Sequence, residues 1–291
     1  MSEQIYQTKR LTIPAAEEIL GIEFPVLDHG FVRLIDYMGG DPAITEGARV
    51  SYGRGTKPIN LEKGLIRNLM RKEHTSPFEM VELKWHCKMP IFVARHWIRH
   101  RTANVNEESL RYSLPEKEFY IPGQGEVRFQ SITSKQGSRD EPVPTEIAKK
   151  VIDFIAHQSE SSMEKYEEMI QNDIARELAR IGLPINIYTQ WHWKNDLHNT
   201  LHFLKLRTAP DAQYEIRQYA NAMGKIVKKI APIAYGAFED YVLNSMTLSA
   251  LDIRALQGLM QGKSIDEVAG NIFESKGERN EFMEKYQRLN K

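Results

Sequence analysis

Cysteine is scarce in this 291-residue sequence, whose one thiol is Cys87. A lone thiol excludes an intrachain disulfide and any site that needs a cysteine pair. Long apolar runs are missing too. No stretch reaches the ~18 residues that span a bilayer, and residues 1–10 are polar, without the apolar core of a signal peptide. The expectation is a soluble, cytoplasmic protein with no membrane partner. Net charge is the third absence: Lys+Arg 39 against Asp+Glu 39 gives a formal net charge of +0. A balanced chain has no global field for a polyanion, so nucleic acid is not an expected partner. Nor does a Gly-x-Gly-x-x-Gly open a helix after a strand, which argues against a Rossmann dinucleotide unit.

What is present reads as alternating strands and helices long enough to bury a substantial core. Residues 31–37 form a candidate strand before Gly39-Gly40, and Asp41-Pro42 reads as an N-cap with proline opening a helix toward Val50. A second helix is expected from Asn60, with Leu61, Leu65, Ile66, Leu69 and Met70 on one face. It leads into His74-Thr75-Ser76-Pro77, where the proline disfavours helix and puts His74 and Ser76 in a loop. Val81, Leu83, Trp85, Cys87 and Met89 then alternate with polar residues, the mark of a half-buried strand. That strand would hold Cys87 on the apolar side, as a small inert hydrophobe.

A helix over 91–98 would carry His96, Arg99 and Thr102 on one face at three-residue spacing. Residues 118–122 read as a short strand, and 123–143 as a surface loop or mobile insertion without a period. A long helix is expected over 144–172, with Ile147, Val151, Ile152, Ile155, Met163, Tyr166 and Ile170 facing inward. Asp173 should cap a further helix that ends at Gly182 and sets Arg176 and Arg180 on one face.

Ile185, Ile187, Thr189, Trp191 and Trp193 alternate again. Asp196 caps the next helix, whose buried stripe is Leu197, Leu201 and Leu204 and whose polar stripe is His198, His202 and Lys205. The histidine pair lacks the Glu of a His-Glu-x-x-His metal site, so no metal is expected. Residues 211–230 form another amphipathic helix, interrupted at Pro232 and continued through Tyr241. Residues 248–291 read as two or three short helices, with Ser264 to Glu267 fitting a capping box.

Residues 99–113 stand apart, since neither periodicity runs through them. The segment holds Arg99, His100, Arg101, Glu107, Glu108, Ser109 and Arg111 beside almost nothing apolar. Composition alone fits a solvated, salt-bridged turn, because surface ion pairs are common and weak. It fits equally a site for an anion and a heterocycle. Guanidinium forks match phosphate, and serine and backbone N–H groups add short hydrogen bonds.

The order of those residues (Arg-His-Arg, seven residues, Ser, one residue, Arg) resembles the signature of the flavin-dependent thymidylate synthases. His74-Thr75-Ser76-Pro77-Phe78-Glu79, Ala179-Arg180-Ile181-Gly182-Leu183-Pro184 and the 196–207 segment resemble further motifs of that family. The likeness covers about residues 28–241. It implies an α+β fold, a mostly antiparallel central sheet packed by long helices. A catalytic domain would span 1–247 and a helical C-terminal extension 248–291.

The resemblance also implies a reaction: reductive methylation of dUMP to dTMP. Methylenetetrahydrofolate would be the carbon donor, bound FAD the hydride carrier and NADPH the reductant. No cysteine nucleophile would take part, and the enzyme would be a homotetramer with sites built from several subunits. Carried over position by position, Arg207 and His74 would be catalytic. The substrate would touch His96, Arg99, Glu107, Glu108, Ser109, Leu110, Arg111, Arg180 and Arg207. The flavin would touch Ser76, Arg99, His100, Arg101, Glu107, Asp196, Leu197, His198 and His202. His96 stands where some members carry glutamine, and Asn104 where a small hydroxyl residue is more usual.

Overall fold

Period-two apolar stretches become strands because only that spacing puts every apolar side chain on one face of a pleated chain. The computed structural model describes residues 10–50, 62–132 and 137–290, and the expected helix start at Asn60 and Leu61 lies outside them. Four strands, β1 (Glu23–Val26), β2 (Gly30–Met38), β3 (Glu82–Pro90) and β4 (Asn104–Glu107), precede two short ones, β5 (Arg128–Gln130) and β6 (Ser138–Pro142), and β7 (Tyr188–Asp196). The main sheet has the order β1-β2-β3-β7-β4 with every pairing antiparallel. Its inner face carries Val32, Leu34, Leu83, Trp85, Cys87, Met89, Trp191 and Trp193, all buried.

The helices up to Phe238 are α1 (Pro14–Glu17), α2 (Asp41–Val50), α3 (Glu62–Arg71), α4 (Ile91–Trp97), α5 (Thr145–Gln171), α6 (Arg176–Ala179), α7 (Leu197–Arg207), α8 (Tyr214–Ile230) and α9 (Pro232–Phe238). Of these, α4, α7 and α8 pack against the sheet. The buried stripe of α7 is Leu197, Leu201 and Leu204, as the spacing predicts, joined by Thr200 and Phe203. The α8 helix buries Ile216, Tyr219, Met223, Ile226, Val227 and Ile230. Trp97 of α4 is the keystone between layers. It stacks on Phe203 at 4.8 Å and meets the edges of Trp191 and Trp193 at 5.5 Å each.

Several expectations are corrected. The α4 helix stops at Trp97, so His96 is helical while Arg99 and Thr102 lie beyond it and share no helix face with it. The chain must leave the helix there to run back along β7 as β4. That edge strand carries no apolar alternation because all four of its residues are exposed. Residues 118–122 contribute only an isolated bridge, Phe119 to Ile187.

Within 123–143, β5 and β6 pair as an antiparallel hairpin, and its exposed residues leave no pattern to read. Asp173 caps nothing, since its φ of 58° closes α5, and α6 begins only at Arg176 after Ala175. Arg180 starts a separate 3-10 turn. On α5, Met163 and Tyr166 join Phe119, Ala179 and Ile187 in a buried cluster, whereas Ile147 stays 47% exposed.

Asp41 opens α2 as expected, but its carboxylate serves a different helix. It accepts the Ile233 and Ala234 N–H groups at 2.7 and 2.9 Å, satisfying the first turn of α9.

By internal contacts the chain divides into residues up to Phe238 and residues from Glu239. The division falls before the boundary at 248 expected from the sequence. The second unit begins with a π-turn, Glu239–Leu243, and continues as α10 (Ala250–Met260), α11 (Ile265–Ile272) and α12 (Lys276–Leu289) around Ala255, Val268, Phe273 and Phe282. Ser264 accepts the Glu267 N–H at 3.2 Å, and reciprocal capping boxes start α10 and α12. Among the described residues no helix is long and apolar enough to cross a membrane.

Candidate active site

The inward column of β7 runs Thr189, Trp191, Trp193, Asn195. Two polar residues thus flank two indoles on a face that otherwise builds core, and each polar residue lines a separate cavity. Thr189 and Trp191 line one of about 350 Å³, and Trp193 and Asn195 line one of about 280 Å³. The arginine-rich segment serves both. Arg99, His100, Arg101 and Thr102 line the smaller cavity, and Glu107, Glu108 and Leu110 line the larger.

Arg207 ends α7 and reaches the smaller cavity. Its Nε donates to His100 Nε2 at 2.9 Å, and its Nη1 donates to His96 Nε2. Both acceptors must be neutral, and their surroundings make them so. Burial, then the Arg207 charge, lowers the pKa of His96. Burial, Arg207, His202 and His96 together bring His100 down to about 4. Burial also lowers the pKa of Arg207, although a guanidinium stays charged at neutral pH. The result is a half-buried cation whose Nε and Nη1 are held by two imidazoles. Arg99 and Arg101 share the cavity, and among the described residues no carboxylate lines it. An electron-rich or anionic ring matches that wall.

The larger cavity joins Arg95 and Arg180 to Glu107, Glu108, Leu110 and Thr189. Thr189 Oγ1 donates to Glu107 Oε1 at 3.0 Å, and the Glu108 N–H is tied to the Gln190 carbonyl at 2.9 Å. The chain then turns. The Ser109 carbonyl accepts from Tyr112 and Ser113, and Ser109 Oγ accepts the Arg111 N–H at 3.3 Å. The Arg111 guanidinium pairs with Glu177 at 3.0 Å, both half exposed.

Other expected residues sit elsewhere. His74 and Ser76 are exposed in the loop between α3 and the 3-10 turn Phe78–Met80, and neither lines the two cavities. That 3-10 turn packs against α7 and β7. His202 lines the smaller cavity and faces His100 edge-on at 6.0 Å, whereas His198 does not line it. The Asp196 carboxylate is occupied in capping α7, accepting from Asn199 N and Nδ2 at 2.8 and 2.7 Å. Leu197 is wholly buried in the core. Among the described residues no three His, Cys, Asp or Glu side chains group as a metal site.

Sequence reasoning passed over Arg95, Thr189, Trp193, Asn195 and Asn199. A signal existed for two of them: Thr189 and Asn195 break an apolar inward column, where a buried polar group needs a partner.

A family model described as thymidylate synthase complementing protein matches residues 33–233. The flavin-dependent thymidylate synthase of Ruegeria pomeroyi is 51% identical over 269 residues, covering 91% of this chain and 89% of the relative. That of Wolbachia pipientis wMel is 50% identical over 265 residues, covering 91% and 93%. Among solved structures, the UMP/dUMP methylase PolB from Streptomyces cacaoi, bound with 5-Br dUMP, superposes with a TM-score of 0.69 at 31% identity, covering 77% of this chain and 100% of that one. These likenesses, with an α+β fold of the same kind, define a methyltransferase. The chain belongs to the flavin-dependent thymidylate synthase family.

Family membership implies FAD, and the residues fit part of it. Among the described residues, buried Asn195 Nδ2 has no hydrogen-bond partner on a wall that also holds three guanidinium groups, and Trp193 Nε1, like the other three indole N–H groups, has none either. Such donors suit the carbonyl and nitrogen edge of a flavin ring.

Proposed function

We propose that this protein methylates dUMP to dTMP, with methylenetetrahydrofolate as carbon donor and NADPH as reductant, and without a cysteine nucleophile. The observation that carries the reading is the Arg207 guanidinium, fixed by two neutral imidazoles at a cavity without carboxylates.

A uracil ring must become electron-rich at C5 before it can accept a methyl group. Arg207 would hold the negative charge of a ring deprotonated at N3, acting by charge and not by proton transfer. His96 and His100 keep its fork aimed. Arg180, with Ser109 and Arg111, would take the phosphate. Arg99, His100, Arg101, Trp193 and the α7 face with His202 would hold the flavin ring, with Ser76, Glu107, Asp196 and His198 toward its remainder. When bound, the flavin supplies hydride. His74 would act from its exposed loop.

Pockets that bury drug-sized ligands run to roughly 300–1,000 Å³, and a flavin dinucleotide with a nucleotide needs more than either cavity of one chain. Neighbouring copies, as in a homotetramer, would then complete each site.

Cys87 gives independent support. It is fully buried, and burial pushes its thiol pKa well above the ordinary range, so no thiolate is available as a nucleophile. Cys87→Ala is expected to keep its turnover in a dTMP-formation assay. Loss of turnover in a folded Cys87→Ala protein would restore a thiol mechanism.

The decisive experiment is spectroscopic. Purified protein is expected to carry, or take up, FAD. Its visible band should bleach with NADPH in the absence of oxygen, and dTMP should form when dUMP and methylenetetrahydrofolate are added. Protein that stays colourless in excess FAD overturns the reading in favour of a nucleotide-binding protein without catalysis.

A further inference from the structure

Asn195 is 4% exposed, and among the described residues its buried Nδ2 has no hydrogen-bond partner. Its other amide atom is engaged: the Thr200 hydroxyl lies 3.0 Å from Asn195 Oδ1 and 2.9 Å from the Asp196 carbonyl. Thr200 has a single hydroxyl proton, so it serves as a tether on one side of the amide only. Turning the amide over exchanges which atom faces Thr200. Either way, one half of the amide is held and the other has no protein partner. Buried amides in folded proteins are nearly always satisfied, and this one lines the 280 Å³ cavity beside Trp193, Asn199, Arg99 and Arg207.

We infer that Asn195 is a ligand-binding residue whose free side-chain Nδ2 donates a hydrogen bond to an imide carbonyl of the ring seated in this cavity. The inference rests on the proposed function, which puts a flavin or uracil ring there. Both rings carry the same imide, a C=O, N–H, C=O sequence that an amide can pair with. The three arginines of the wall supply charge, and the amide adds a neutral donor at a fixed position.

Its position is rigid for that purpose. Asn195 pairs with Leu83 across the β3–β7 ladder, and the next residue caps α7. Thr200 then holds the head group from the first turns of that helix.

The test separates a ligand contact from a structural role. Replacing both members of a buried polar pair by apolar groups of similar shape leaves no orphan and is close to neutral for folding. Asn195→Leu combined with Thr200→Val is therefore expected to keep the wild-type unfolding midpoint. The same pair should bind FAD or dUMP at least about tenfold more weakly, by fluorescence titration and calorimetry respectively.

The infrared carbonyl band of the affected ligand should shift to higher frequency as its hydrogen bond is lost. A shift confined to bound flavin assigns the contact to the cofactor, and one confined to isotope-labelled uracil assigns it to the substrate. If the pair does not fold, Asn195→Ala with Thr200→Ala is read in the same way. A folded pair that binds both ligands as tightly as wild type, with unmoved carbonyl bands, overturns this inference alone. Wild-type protein that binds neither ring overturns it together with the proposed function.

Discussion

Arg207→Ala is expected to retain bound flavin and to lower the rate of dTMP formation by a factor of about 10² to 10³, the usual consequence of removing one preorganised donor to developing charge. The geometry sets the direction. Two of the guanidinium's nitrogens are spent on His100 and His96, which orient the fork. The α7 helix buries Leu197, Thr200, Leu201, Phe203 and Leu204 whether or not Arg207 is present, so the helix and its cofactor face should survive truncation.

Arg207→Lys should fall close to Arg207→Ala. An ammonium is a point charge on a flexible stem and cannot span two imidazoles while presenting a third N–H. The measurement is a steady-state dTMP assay beside the flavin absorbance of the same sample. Unimpaired turnover by the alanine variant would remove Arg207 from the chemistry.

Trp97→Ala is expected to be the most destabilising single substitution of the core, at about 3–5 kcal/mol. The indole is 0% exposed, stacks on Phe203 and touches Trp191, Trp193 and Tyr219. Its removal leaves a void where α4, α7, α8 and the sheet converge, too large for stiff neighbours to close. His96 precedes it and Arg99 follows two residues on, so flavin retention should fall along with stability. Urea unfolding reports the first effect and gel-filtered flavin content the second. A midpoint near wild type would mean that the layers are held mainly elsewhere.

How much of this was legible beforehand varied from element to element, for physical reasons. Strands β2, β3 and β7 and the stripe on α7 were readable because one wet and one dry face leave a period in the residues. Strand β4 was not, since an exposed edge strand leaves no such record. Asp41 shows the limit of local rules. Read alone, it caps the helix it opens, yet its carboxylate satisfies a helix nearly two hundred positions later. Asp173, read as a cap, instead takes a left-handed turn that ends α5.

For the site, residue order was enough to name the side chains but not to divide them. The arginine-rich segment reads as one binding loop, whereas its two ends line two cavities on either side of the paired indoles of β7. By itself the sequence determined the family and the α+β layering, since these depend on residue identity, spacing and periodicity. Tertiary structure alone decided that Arg207 would be gripped by two neutral imidazoles, that His74 would stay outside both cavities, and that Asn195 would be left with half an amide unpaired. Each of those outcomes depends on desolvation and on contacts between segments up to about a hundred residues apart, quantities that no local pattern encodes.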